Sequence, residues 1–424
     1  MSGYTALERC RICGSTDLTQ VLDLGVQMLT GIFPRRAGED ITAGPVQLVK
    51  CDQQTGCGLL QLAHSYDLAE MYGDNYGYRS GLNPSMVAHL QDKVRRIQGL
   101  VHLAEGDAVL DIGSNDATTL RAYPDIGLRR IGMDPSAGKF RQHYPDTVSL
   151  IEDFFAAETF EQHFPGVRPR VVTSFAMFYD LEQPMEFMRQ VHRILAEDGI
   201  WVFEQSYMPT MLDMVAYDTV CQEHLEFYAL AQIQWMAERV GFRILDVEFN
   251  DVNGGSFSIT MGKAPAFTAA GPATQAILDQ EHAAGLHTLA PYRQFADRVA
   301  ASRDELQRFV ADARAAGKTI GILGASTKGN VLLQYCGLSG DDIVAVGEVN
   351  PDKFGALTPG TWLEIIPEPE LLAAAPDYLL VLPWHFRSFF LRNPRYAGHK
   401  LVFPLPRLEV VVAGDAATPT NAGA

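Results

Sequence analysis

Apolar positions recur at two spacings along most of this chain, one that of helices and one that of strands. Residues 86–104 repeat them at helical spacing and predict an amphipathic helix. "DAVLDIGSND" follows as a buried strand running into a loop, and "RRIGMDPS" as a strand with an acidic end. "PRVVTSFAMFYDL" and "GIWVFEQSY" predict two more strands, separated by the helix "PMEFMRQVHRILAED". "FRILDVEFNDVNGGSFSITMGK" predicts a hairpin of two strands. Strand–helix alternation closed by a hairpin is the pattern of an α/β region, with a mostly parallel sheet and an antiparallel edge. Residues 265–316 are Ala-rich with charges at helical spacing and predict helices; alternation resumes from 318 to about 411. The first 80 residues are loop-rich, and the tail "AGDAATPTNAGA" has no apolar periodicity and reads as disordered. No solenoid repeat is present. The parts expected are 1–80, 81–264, 265–316, 317–412 and a tail at 413–424.

A length of 424 residues agrees with two or three folded domains. The formal net charge of −17 makes nucleic acid and anionic membrane poor partners, while leaving room for a local basic pocket. The opening "MSGYTALERCRICG" lacks the layout of a signal peptide, and no apolar run approaches a membrane span, so a cytoplasmic protein is expected. In a reducing compartment, clustered cysteines point to metal rather than disulfides. Cys10 and Cys13 form C-x-x-C, and Cys51 and Cys57 a looser C-x5-C; each pair is followed by glycine. Four thiolates suit a tetrahedral structural zinc with no position left open for chemistry. The competing reading is four unliganded thiols in a small domain.

Chemistry is concentrated at the ends of the predicted strands. In "VLDIGSNDATTL", Gly113 stands where a buried strand turns into a helix, the place where adenosine cofactors bind. G-x-G-x-x-G is incomplete, which disfavours a dinucleotide. Asp134, after "RRIGM", is placed to accept from ribose hydroxyls. Asp153 in "EDFF" could face an adenine amino group, and Asp111, Gly113, Ser114 and Asn115 would line the amino-acid end of S-adenosylmethionine. The plain alternative is a buried strand followed by a polar turn.

Five motifs in order, "CRICGSTDLTQVLDLG", "LDIGSNDA", "EHLEFYAL", "NGGSFSI" and "GASTKGN", resemble the sugar-nucleotide C-methyltransferases of deoxysugar biosynthesis. The resemblance implies a Rossmann-like class I methyltransferase domain, flanked by a small N-terminal zinc-binding domain and a C-terminal Rossmann-like α/β domain. It implies methyl transfer from S-adenosylmethionine to a sugar carbon beside a ketone, on a nucleotide-linked keto-deoxysugar. That reaction needs a base for the C–H proton and stabilisation of the enolate. The family's glutamate–histidine pair matches Glu223 and His224, with His224 as base; Tyr76 and Tyr78 match its tyrosine-rich stretch. Ser326, Lys328 and Asn330 would hold the diphosphate; His385, Asn253 and Ser256, with Gly254 and Gly255, are further candidate substrate contacts. Three positions depart from the family pattern. Cys221 replaces a tyrosine and reads as a buried, inert thiol, Tyr179 is the nearest polar aromatic where a histidine is usual, and Ala117 replaces a glycine.

Two other functions fit the same residues. An O- or N-methyltransferase needs a base but no ketone. A zinc-stabilised binding protein with a degenerate cofactor fold needs neither. The sugar, the nucleotide, the carbon methylated and the oligomeric state are not encoded in any motif.

Overall fold

The computed structural model describes residues 3–67, 70–71 and 79–414. Near the amino terminus, β1 (Tyr4–Ala6), β2 (Leu18–Met28), β3 (Ala43–Cys51), β4 (Leu60–Leu62) and β5 (His64–Tyr66) follow one another. β2, β3 and β4 form an antiparallel meander, and β1 pairs with β5. In β3, Val46 and Leu48 point inward and their neighbours outward, the period of a half-buried strand.

The helix Pro84–Leu100 opens the central region. Asn83 accepts from the Ser85 N–H ahead of it, Pro84 takes the first helical position, and Leu90, Val94 and Ile97 form the buried face. It ends four residues earlier than the expected 104, because Val101 turns extended. Then come β6 (Ala108–Ile112), β7 (Arg129–Met133), β8 (Val148–Ile151), β9 (Val171–Phe175) and β10 (Ile200–Ser206), all mutually parallel. β11 (Glu226–Phe227) departs from the sheet that precedes it and pairs antiparallel with β4. β12 (Phe242–Asn250) and β13 (Ser256–Lys263) form the expected hairpin, with β13 antiparallel beside β10. The central order is β12-β13-β10-β9-β6-β7-β8, so the strand order reverses between β6 and β9. That reversal opens a crevice at the carboxyl ends.

The helices Thr274–Ala283 and Ala290–Ala315 form the connector. The last sheet contains β14 (Ile320–Leu323), β15 (Val346–Glu348), β16 (Ile365–Pro367), β17 (Tyr378–Val381), β18 (Lys400–Phe403) and β19 (Glu409–Val412). Its order is β16-β15-β14-β17-β18-β19, parallel except for β19, with a second switch point between β14 and β17. Most of the tail lies outside the described residues.

The apolar cores do not follow the sequence divisions. One cluster joins Val46 and Leu48 of β3 to Met208, Tyr217 and Leu225 of the central region and to Val331 and Leu379 of the last sheet. A second joins Cys10 and Cys57 to Leu110, Trp201, Phe203 and Phe257 on one face of the central sheet. Val94, Ile97, Val109 and Val202 fill the other face. Between 206 and 229, then, the chain is packed against all of its neighbours at once.

The helix Leu230–Val240 starts at Ala229, which has no side-chain oxygen to cap it. Glu281 of the connector fills that role: its carboxylate accepts from the N–H groups of Leu230 at 2.7 Å and Ala231 at 2.9 Å, and from the Tyr207 hydroxyl at 2.8 Å. A buried carboxylate at a helix start is favoured by both the open N–H groups and the helix dipole. Glu281→Ala is expected to cost about 2 kcal/mol by leaving these donors unpaired, read as a lower urea midpoint with unchanged slope; Glu281→Gln should recover part of it.

Candidate active site

Cys10, Cys13, Cys51 and Cys57 bring their sulfurs within 4.8 Å of one another. The Cys10–Cys57 and Cys13–Cys51 sulfurs are 3.5 and 3.6 Å apart. A tetrahedral zinc with Zn–S near 2.3 Å needs an edge of about 3.8 Å, so the donor set fits the ion. The long C-x5-C spacing closes because Asp52 accepts from the Gln54 and Thr55 N–H groups, tightening the loop. Gly56 lets that loop pass the thiolates; a β-carbon there would meet Cys51 Sγ at 2.5 Å.

At the switch point of the central sheet, Gly113, Asn115 and Ala117 all have positive φ. Ala117, where glycine would be strain-free, is fully buried; its left-handed backbone costs about 1 kcal/mol, which methyl burial offsets. A β-carbon on Gly113 would lie 3.3 Å from Met177, so a side chain there would crowd the loop that follows β9. Asp134 accepts from the Asn115 N–H and from the Ser136 N–H and hydroxyl, which leaves it acceptor capacity for one ligand hydroxyl rather than two. Asp153 is exposed beyond β8, beside Phe154. Asp111 departs from expectation. It is buried inside the sheet against Thr173, and burial pushes its carboxyl up to about 7, so it supports the strand end instead of lining the cradle. The Ser114 hydroxyl meets the Tyr144 hydroxyl, and the Asn115 side-chain oxygen accepts from the Ser80 N–H. Asp116, which the motif alone did not single out, accepts from Gly81 and pairs with Arg79, tying residues 79–81 to the loop.

The stretch carrying Glu223 and His224 is a turn followed by β11. Gln222 clamps it to residues 27–30: its oxygen accepts from Thr30, and its amide donates to the carbonyls of Gln27 and Met28. Leu225 donates to the Tyr179 carbonyl and accepts from the Leu62 N–H. His224 Nδ1 lies 2.7 Å from the Thr219 carbonyl. A carbonyl only accepts, so Nδ1 carries the proton and Nε2 keeps its lone pair. Burial, and then the nearby charge of Lys328, pull the His224 pKa down to about 4. The Tyr179 ring meets the imidazole edge-on at 4.6 Å. Burial pushes Glu223 up to about 7 against the pull of Lys353. Its carboxylate rests on Gly31, where any β-carbon would collide with it. Burial raises the thiol pKa of Cys221, which agrees with an inert role.

The carboxyl ends of β14 and β17 face the same turn. The Lys328 charge reaches His224, His385 and buried Asp218, and Trp384 donates to Asp218 at 2.9 Å. Burial and Lys328 pull His385 down to about 3. A β-carbon on Gly254 would come 3.9 Å from His385 and Trp384, so the hairpin turn and the end of β17 abut. Two residues expected as substrate contacts also have partners within the protein. Asn330 is fully buried and donates to the Thr30 carbonyl, and Ser256 is buried and donates to the Val252 carbonyl of its own hairpin. Ser326 caps the helix Thr327–Cys336 by accepting from Gly329. Tyr76, Tyr78 and the side chain of Asn253 lie outside the described residues. Gly31, Gln222 and Asp218 were not singled out from the sequence.

Three family models match in succession: "Putative zinc binding domain" at 10–72, "Methyltransferase domain" at 86–247 and "C-methyltransferase C-terminal domain" at 251–406. The chain is an S-adenosylmethionine-dependent methyltransferase, and its three parts are similar in order to those of C-methyltransferases. It is 28% identical to the C-methyltransferase NovU of Streptomyces niveus over 417 residues, covering 96% of this chain and 97% of that one. Among solved structures, a complex between the Haloferax volcanii Trm112 methyltransferase activator and a methyltransferase is 16% identical. It covers 42% of this chain and 94% of that one, with a TM-score of 0.35. The glycopeptide N-methyltransferase MtfA with S-adenosyl-L-methionine is 12% identical over 41% of this chain and 93% of that one, at TM-score 0.32. At such scores these likenesses carry no argument about the methyltransferase. Among the described residues, no helix is long and apolar enough to cross a membrane.

Because the folded pKa of Glu223 is raised, its contribution to stability is present below the ordinary carboxyl value and lost as pH rises through about 7. Glu223→Gln cannot titrate and should gain on the parent across that window, by on the order of 1–2 kcal/mol after solvent screening. Melting curves should show the variant equal or lower at pH 4.5 and higher at pH 8.

Proposed function

We propose that this enzyme methylates a sugar carbon next to a ketone on a nucleotide-linked keto-deoxysugar, with His224 as the base. The observation that carries this reading is the fixed tautomer of His224, whose Nδ1 is tied to the Thr219 carbonyl and whose Nε2 is left as an acceptor. The three-part match and the likeness to a C-methyltransferase support carbon as the methylated atom.

Neutral at every physiological pH, the imidazole needs no prior deprotonation. When the C–H bond breaks, the proton moves to Nε2 and its electron pair passes into the enolate. The enolate's charge then stabilises the imidazolium that burial had disfavoured. Lys328, which reaches the same imidazole, contributes to holding the enolate or the diphosphate. When bound, S-adenosylmethionine supplies an electrophilic methyl group. Gly113, Asp134 and Asp153 would hold it at the carboxyl ends of β6, β7 and β8, and the four cysteines would hold zinc, which stabilises the fold. Tyr179 keeps the imidazole edge-on, and Glu223 stands between Gly31 and Lys353 to orient a sugar hydroxyl. His385 and the backbone of Gly254 close the far side. The parts 1–80, 81–264 and 317–412 would each contribute one wall, joined by the connector.

Incubation with S-adenosylmethionine and a panel of keto-sugar nucleotides should give a product one methyl heavier by mass spectrometry. In deuterated water, the enzyme should place deuterium at the carbon beside the ketone. His224→Ala is expected to lose at least about 100-fold in kcat while cofactor affinity stays nearly unchanged. Near-parent turnover in that variant would remove His224 from the mechanism. Methylation at oxygen without deuterium uptake would replace carbon by oxygen as the acceptor.

A further inference from the structure

Arg11 sits between the first two zinc ligands, yet its side chain leaves the metal loop. Its side chain is 1% exposed. Nη1 donates to the Leu62 carbonyl at 2.7 Å, and Nη2 to the His64 carbonyl at 3.1 Å and the Ser65 hydroxyl at 2.9 Å. Its own N–H donates to Gln61 at 3.1 Å. One guanidinium thus holds β4 and β5, and β4 is the strand on which β11 is built, with Glu226 opposite Gln61 and Phe227 opposite Leu60. β11 begins two residues after His224.

Charge ties the same pieces together. Arg11 Nε is 3.8 Å from Glu226 and 3.5 Å from Glu182. Glu182 is 37% exposed and accepts from Ser65, so it has water and a hydroxyl besides Arg11. The Glu226 side chain is 0% exposed, and among the described residues neither of its oxygens has a hydrogen-bond partner. Burial pushes the Glu226 carboxyl well above its ordinary range; Arg11 pulls it down, while Glu182 and Asp180 act with burial. Without Arg11 that carboxyl keeps only burial and acidic neighbours, all unfavourable to its charge, whereas an amide at 226 carries no charge to compensate.

The geometry points to Arg11 as the positioning residue that couples the zinc loop to the active-site turn, by pinning β4 and compensating Glu226 so that β11 holds His224 in place. The His224 role belongs to the function proposed above; the coupling itself does not depend on what the substrate is.

The test uses the full-length zinc-loaded protein, with parent, Arg11→Met, Arg11→Lys and Arg11→Met/Glu226→Gln compared by zinc content, calorimetric titration with S-adenosylmethionine and amide hydrogen exchange. In Arg11→Met, one zinc per chain and cofactor affinity within twofold of the parent are expected, with exchange in peptides covering 222–229 accelerated at least tenfold and β6–β9 unchanged. Arg11→Lys keeps the charge without the fork and should lie between; it also serves if Arg11→Met does not fold. The double variant should regain most of the protection. With an active substrate, kcat should fall at least tenfold in Arg11→Met with KM nearly constant. Unchanged exchange at 222–229, loss of zinc from both single variants, or no recovery in the double variant would each overturn the coupling. The expected exchange pattern in a parent that methylates no keto-sugar would sink the proposed function and leave the coupling standing.

Discussion

The pairing of two residues, Glu226 and Phe227, with the edge of an N-terminal sheet is the contact on which the rest of this enzyme depends. The turn before them has little regular structure of its own. Its backbone is satisfied by others: Leu225 by Leu62 and Tyr179, Gln222 by residues 27–30, and Phe227 by Leu60. Buried polar backbone must find such partners. The sheet that provides them is closed at one end by four cysteines, whose sulfurs lie close enough to hold one zinc.

The site is formed by convergence of two switch points. Parallel sheets concentrate ligand-binding loops at the carboxyl ends of their strands where the order reverses, and this chain has two such sheets with those ends turned toward one turn. Tyr179 follows β9, Gly254 and Gly255 lie beside the end of β10, Lys328 follows β14, and His385 follows β17. The charges there are not independent. Lys328 lies near Asp218, His224 and His385, so burial first and this one ammonium second hold two imidazoles neutral, while Lys328 also opposes the rise that burial imposes on the Asp218 carboxyl. Such crowding costs stability. It leaves groups whose protonation changes most readily when a new charge arises beside them.

A second buried electrostatic arrangement, around Glu204, has a different character. His89 at 2.6 Å, Lys93 at 2.8 Å and Asn250 at 2.8 Å all converge on it beneath the helix Pro84–Leu100. There every charge has a partner, and the network fastens the helix to the ends of β10 and β12. The contrast between a saturated cluster at Glu204 and a strained one at Glu223 separates framework from working surface.

Much was legible in the sequence by itself. The period of apolar residues marked the parallel strands, the hairpin and the connector helices, because burial imposes those periods locally. Cysteine spacing announced the metal loop, since two short pairs suffice to build a tetrahedron. The turn at Gly113 and the strand end before Asp134 were readable from the apolar runs that precede them. What only the tertiary structure decided concerns partners far away in the chain. Asn330 and Ser256 looked like polar groups awaiting a substrate, and became internal fasteners once Thr30 and Val252 were placed against them. Asp111 was drawn inside the sheet by Thr173. Nothing local to "CQEHLEF" says that Glu226 and Phe227 pair with Gln61 and Leu60, far back in the chain, or that the proton of His224 is fixed by a carbonyl. A hydrogen bond or an ion pair depends on what lies across the gap, and local residue patterns record only one side of it.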